Sequence, residues 1–262
     1  MNAVDLISQL FEWCNDNGEK DYSNTCDTLK CGDPQRIVKK VAVTMTASVD
    51  VIRQVCDWNA DLLIVHEPTF YDHFDKRLAD DPVVQAKDKM LADAGIPVWR
   101  FHDHPHHKAK DMIGEGTVRS LGLQGQWINR AWAVNRLLLD SPATPREIAE
   151  KFRNLGAKHL RLAGNLDQPC RMISLCLGTP GGVFEELRDP DVEIVLTGEA
   201  SEWMLGEYAR DAGALGMKKT LMILGHIPSE KEGMRYLADV IRERFPDLNT
   251  KYFECGEFCT EF

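Results

Sequence analysis

The strongest constraint on this chain is an order of short apolar runs, separated by helical patterns, that occurs twice. In the first half, residues 37–45, 61–65 and 96–101 are such runs. Strands that are apolar along their whole length, rather than at every second residue, are buried on both faces. That is the situation of a parallel sheet covered by its crossover helices. The helical patterns fall between them. Val4, Ile7, Leu10 and Phe11 recur at three and four residues, and Ser48 stands before Val51, Ile52, Val55 and Cys56 as an N-cap. Residues 83–94 run into Gly95, and residues 110–121 into Gly122. The second half offers strands at 133–139, 171–176, 193–199, 219–226 and 251–255. A helix opened by Thr144-Pro145-Arg146-Glu147 comes first among its helices; residues 201–212 and a face of Met234, Leu237, Ala238 and Ile241 make the others. The expected fold is α/β: a duplicated α/β unit forming two similar lobes with mostly parallel sheets. The lobes are expected at 1–125 and 126–262, with terminal segments open to exchange between them.

The ends of these strands carry the chemistry. Ligands of open parallel sheets bind beyond the carboxyl ends of the strands. Residues 61–65 deliver His66-Glu67-Pro68, residues 96–101 deliver His102-Asp103-His104-Pro105-His106-His107, and residues 219–225 deliver His226. Seven of the eight histidines lie in or near these three segments, with His159 the exception and His73 the outlying member. Imidazole nitrogens and carboxylate oxygens on rigid supports are the donor set of a divalent metal site. If two lobes face each other with these ends, the donors meet in a metal cleft between them.

Each segment also has a plainer reading. The His-rich stretch can be a solvated loop. His226 can be a satisfied core histidine, with Glu230 merely favouring a helix N-terminus. The four-residue spacing of His226 and Glu230 would bring them together over one helical turn. Within the cluster, alternating positions would use His102, His104 and His106, whereas a loop or helix start would pair His102 with His106. Asp103, His104 and His107 are held in reserve.

Other classes are excluded or disfavoured. A net charge of −10 with no basic stripe argues against nucleic acid. No apolar run approaches the roughly 20 residues that span a bilayer, and the first residues lack a secretory layout, so a cytoplasmic protein is expected. Cys26 and Cys31, and Cys255 and Cys259, form no Cys-x-x-Cys, and free thiols are expected.

These residues resemble the Nif-three-like family of dinuclear-metal proteins, some members of which carry the label GTP cyclohydrolase I type two. Asp27-Thr28-Leu29-Lys30-Cys31-Gly32-Asp33-Pro34 resembles its early Gly-Leu-x-x-Gly segment. Ala60-Asp61-Leu62-Leu63-Ile64-Val65-His66-Glu67-Pro68 resembles its Ala-Asp-Leu-Ile-x-x-His-His-Pro. His102 to His106 resembles its His-Thr-Asn-x-Asp, Leu196-Thr197-Gly198-Glu199 its Thr-Gly-Glu, and Gly225-His226-Ile227-Pro228-Ser229-Glu230 its Gly-His-x-x-Ser-Glu. The resemblance is nearly end to end. It implies a homo-oligomer, a hexameric ring, with divalent metal held by His66, Glu67, His106, His226 and Glu230, beside His102 from the cluster itself. There are two departures from the pattern. Glu67 replaces the second His of the family pair, and His106 replaces a bridging Asp. A neutral imidazole does not readily bridge two cations, so one or two ions per subunit, zinc, iron or manganese, are expected.

The expected activity is that of a metal-dependent hydrolase acting on a phosphoester, nucleotide or cyclic amide. Glu199 or Glu202 would act as general base or orienting group. No P-loop, Gly-x-Gly-x-x-Gly or Gly-x-Ser-x-Gly is present. The rival class is a non-catalytic metal-binding adaptor or scaffold protein, and the small-molecule substrate is not specified by the sequence.

Overall fold

In a computed structural model, which describes residues 1–18 and 20–259, the apolar runs assemble into two sheets, each in its own compact unit. One unit is Met1–Ala109 with Met234–Phe262, the other Lys110–Gly233. In chain order the first elements are α1 (Ala3–Cys14), β1 (Leu29–Cys31), β2 (Lys40–Thr44), α2 (Val49–Asp57), β3 (Leu62–Val65), α3 (Pro82–Ala94), β4 (Val98–Arg100) and a short α4 (Asp103–His106). Then come α5 (Met112–Ser120), β5 (Gly125–Ala131), β6 (Val134–Ala143), α6 (Pro145–Asn154), β7 (Arg161–Gly164), β8 (Cys170–Cys176), α7 (Val183–Arg188) and β9 (Ile194–Thr197). A π-helical turn, Glu202–Gly206, leads into α8 (Glu207–Ala214), followed by β10 (Thr220–Ile223), α9 (His226–Arg244) and β11 (Asn249–Tyr252).

Local chemistry sets the boundaries. Ser48 accepts the Val51 amide at the start of α2, and Asp81 accepts two amides ahead of Pro82 at the start of α3. Thr144 and Glu147 form a reciprocal capping box on α6. Gly95, in the left-handed region at φ +61°, ends α3.

Among the described residues, the first sheet has the order β1-β4-β3-β2-β11 and the second β5-β6-β8-β9-β10-β7. In the first, β4, β3, β2 and β11 run parallel and β1 is an antiparallel edge. In the second, β8, β9 and β10 are parallel, flanked by the antiparallel strands β6 with β5 on one side and β7 on the other. Strands β3, β4, β9 and β10 are buried at every residue, as strands covered on both faces must be.

The duplication is visible in this topology. The series α1-β1-β2-α2-β3-α3-β4 recurs as α6-β7-β8-α7-β9-α8-β10, and the matching strands lie in the same spatial order, β1-β4-β3-β2 and β7-β10-β9-β8. The registers also match: Val65 lies beside Thr44 as Thr197 lies beside Cys176. The final strand pairs with β2 and so lies in the first sheet; the expected lobes leave terminal segments open to such exchange. The strand expected at 133–139 is half of an antiparallel hairpin whose other arm, β5, is not among the expected strands, its apolar residues being few.

A buried ion network ties the second sheet to its crossover helix. Arg136 on β6 donates to both oxygens of Glu186 on α7 (2.6 and 2.9 Å) and to Asp189 (2.6 Å), and Ser174 donates to Glu186 at 2.8 Å. Arg136→Met would leave the Glu186 carboxylate buried without its cation. The expected cost is about 3–5 kcal/mol of stability, measured by urea unfolding. An unchanged urea midpoint would show that water reaches Glu186 freely.

Candidate functional site

The first unit gathers three imidazoles. β3 ends at Val65, and the chain turns there because the amides of His66 and Glu67 both donate to the Met45 carbonyl, at 3.0 and 2.9 Å. The turn points the His66 ring at the end of β4, where its Nδ1 lies 3.1 Å from the Phe101 carbonyl oxygen. A carbonyl only accepts, so Nδ1 carries the proton and Nε2 the lone pair. His66 is fully buried. Burial, and then the neighbouring His102 and His106, hold its pKa well below the usual range, which keeps the ring neutral and a donor for metal.

His102 is the residue before α4, and one turn of α4 returns His106 to its side. Ring centroids lie 4.6 Å apart for His66 and His102, 5.1 Å for His66 and His106, and 4.9 Å for His102 and His106. All three residues are buried, and their ligand atoms fall within 4.8 Å of one another. His102 Nδ1 sits 2.9 Å from Asp103 Oδ1. A carboxylate or carbonyl behind each imidazole is what orients metal-binding histidines and fixes their tautomer. Burial alone would raise the Asp103 carboxyl, but hydrogen bonds from His102, Thr25 and the Cys26 amide hold it well below the usual carboxylate range. The donor set fits a borderline divalent cation, and this cluster can hold one.

Of the two arrangements open in the sequence, the helix start is the one formed. His104 points away from the cluster: its ring stacks between Phe11 and Tyr22, at 3.7 Å from each, and its Nδ1 contacts Asp27 at 2.6 Å. His73 is exposed, its ring 6.0 Å from that of His102. Glu67 is half-buried, 3.8 Å from the Arg100 guanidinium. Cys26, Cys31, Cys255 and Cys259 are free thiols, and Cys26 Sγ lies 3.5 Å from Asp103.

The second unit builds a matching strand end. The amides of Gly198 and Glu199 both donate to the Gly178 carbonyl, each at 3.0 Å, as those of His66 and Glu67 do to Met45. β10 leaves through Gly225, at φ +86°, into α9. His226 Nδ1 lies 2.7 Å from Glu199 Oε1, and its Nε2 lies 3.2 Å from Glu230 Oε2 one turn along. Glu230 is buried, and Gly178 has no side chain because a Cβ there would strike the Glu230 carboxylate. One imidazole is thus held between two carboxylates, one exposed and one buried. Glu202, in the π-helical turn, is instead paired on the surface with Arg161.

Two residues that sequence reasoning passed over organise the first cluster. Asp27 is buried, and its carboxylate accepts the amides of His102 (2.6 Å), Asp103 (3.0 Å) and His104 (2.8 Å). Arg100, at 1 % exposure, donates from Nε to the His66 carbonyl at 2.9 Å and from Nη1 to the His73 carbonyl. A charged residue inside an otherwise apolar strand was the available signal for Arg100. Asp27 heads the early segment that resembles the family's, but nothing in that segment marks it as the acceptor for the amides of His102 to His104.

The family model described as Duf34/NIF3 (NGG1p interacting factor 3) matches residues 1–256. The chain belongs to this family. A Chlamydia pneumoniae protein named GTP cyclohydrolase 1 type 2 homolog is 25% identical over 260 residues, 95% of this chain and 97% of that protein. A Clostridium perfringens protein of the same name is 20% identical over 257 residues, 93% of this chain and 92% of its own. The solved structure of protein ybgI, of unknown function, superposes with a TM-score of 0.81 at 20% identity, covering 99% of this chain and 100% of that one. At that identity the likeness is one of fold, and for this NIF3-family chain it agrees with the two-unit α/β architecture. No helix among the described residues is long and apolar enough to cross a membrane.

Proposed function

We propose that this NIF3-family chain is a metal-dependent hydrolase holding one or two divalent ions, zinc, iron or manganese. The observation that carries the reading is the buried imidazole triad His66, His102 and His106, two of whose rings are backed by an oxygen acceptor. His226 and Glu230 form a second donor pair, and Glu67 offers a carboxylate beside the first. A bound ion of this kind lowers the pKa of water toward neutrality and polarises a phosphoryl or acyl oxygen.

The chain's own residues supply the rest. Glu199 is exposed and accepts a hydrogen bond from His226 on one oxygen, so its carboxylate is oriented by the imidazole and can take a proton from water. The substrate class is a phosphoester, nucleotide or cyclic amide, in keeping with the cyclohydrolase name carried by the relatives. The reading includes a cytoplasmic homo-oligomer, a hexamer by family resemblance.

The test is elemental analysis of the purified protein with a turnover screen on those three substrate classes. Metal at one or two equivalents with turnover is expected. Glu199→Gln should lower kcat by about 10²–10⁴ with metal retained. The double variant His226→Ala/Glu230→Ala should reduce metal content. Metal without turnover on any class would instead favour a non-catalytic metal-binding adaptor, and protein free of metal would remove the reading altogether.

A further inference from the structure

The second unit contains a cavity of about 540 Å³ at the carboxyl ends of β8 and β9. It is built from the segment that follows β8 and enters α7, and from the segment that follows β9. Thr179, Phe184, Glu185, Glu199, Met204 and Leu205 are among the residues around it. The volume falls within the range of small-molecule sites, and the crevice beyond the carboxyl ends of parallel strands is where such sites form. Glu199 is shared: it lines this cavity and also holds His226.

The lining has a definite chemical bias. The lining residues include the acids Glu185 and Glu199 and the hydroxyl residue Thr179, together with the apolar Phe184, Met204 and Leu205. No Lys, Arg or His is among the described lining residues. Arg188 lies over the Phe184 ring, 5.7 Å from its centroid, without lining the cavity. A phosphate here would meet two acidic lining residues and no basic one, inside a chain that is already strongly acidic. A group with N–H donors would meet two acceptors, and a carboxylate binds a paired N–H fork in bidentate fashion.

We infer that this cavity is a subsite for the amino-substituted nitrogen heterocycle of a small molecule, with its ring against Phe184 and Met204 and its N–H groups on Glu185 and Glu199. The inference deepens the proposed hydrolase and rests on Glu199 facing the substrate there. It selects the ring, rather than a phosphate, as the part of the substrate that the second unit grips.

The probe is 2-aminobenzimidazole, a planar ring with an amidine-type N–H pair, titrated into the full chain in its as-purified metal state. Binding is read by calorimetry and by the ¹³C-methyl NMR signal of Met204, assigned through Met204→Leu. A saturable shift of that methyl is expected, and inorganic phosphate should give none. Glu185 is exposed, so its variants test the contact without disturbing the core. Glu185→Gln should raise the Kd about tenfold, and Glu185→Arg should abolish binding. The inference is overturned if the Met204 methyl is unmoved at millimolar probe, if Glu185→Gln and wild type bind equally, or if phosphate competes with the probe. None of these readouts depends on turnover. Loss of the hydrolase reading with the methyl shift intact, or the reverse, therefore tells the two apart.

Discussion

Single alanine replacements at His102 or His106 are expected to reduce bound zinc, iron or manganese to below about a tenth of the wild-type content after dialysis. Altering groups that merely orient a metal ligand costs about 10–100-fold in affinity, and removing a ligand costs at least as much. His104 cannot stand in for His102 or His106, because it is stacked between Phe11 and Tyr22 and turned toward Asp27. His66 is the riskier position to truncate, since it is fully buried and its loss opens a cavity; His66→Gln keeps much of the volume and should still lose metal. His106→Asp supplies an anionic oxygen in place of the imidazole and should recover most of the content lost in His106→Ala. His107→Ala, in the same run of histidines, serves as the control and should retain metal. Elemental analysis alongside circular dichroism checks the set. Wild-type metal content in properly folded His102→Ala and His106→Ala would rule out the triad as the principal site.

Most of the fold was legible because its signals are local. Apolar runs such as Leu62–Val65 and residues 194–196 are best placed in the interior of a sheet covered on both faces. The caps at Ser48 and Thr144 act within one helical turn. The repeat was legible through element order even where residue identity was low. What escaped depends on distance in sequence or on weak burial. The last strand reads like any other strand, and only its pairing with Lys40–Thr44 places it in the first sheet. The hairpin arm Gly125–Ala131 is an edge with little apolar content. The candidate site divides in the same way. The His226–Glu230 pairing follows from a four-residue helical spacing. The contact of His226 with Glu199 required knowing which strands are neighbours. Glu202 lies three residues beyond Glu199, outside the Thr-Gly-Glu segment, and the expectation left the two as alternatives; it pairs with Arg161 instead.

Asp27→Ala is expected to cost about 3–5 kcal/mol of stability and to weaken metal binding by about 10–100-fold. The Asp27 side chain is fully buried and receives hydrogen bonds from three successive amides and from the His104 ring, with a longer one from the Cys26 thiol at 3.8 Å. Each buried donor left without an acceptor costs about 1–3 kcal/mol, and bonds to a charged acceptor lie at the upper end. Partial access of water to the opened space keeps the total below the sum. The same amides begin α4, a helix of a single turn that has too few internal bonds to persist on its own. That turn sets His106 beside His102, so fraying it separates two donors without touching either. Asp27→Asn retains one carbonyl acceptor but turns an amide group toward donors, and should recover only part of both losses. The checks are urea unfolding by circular dichroism and zinc competition against a chromogenic chelator. If Asp27→Ala lowered stability while zinc affinity stayed at the wild-type value, Asp27 would support the fold alone, and α4 would hold His102 and His106 together through its contacts with α1.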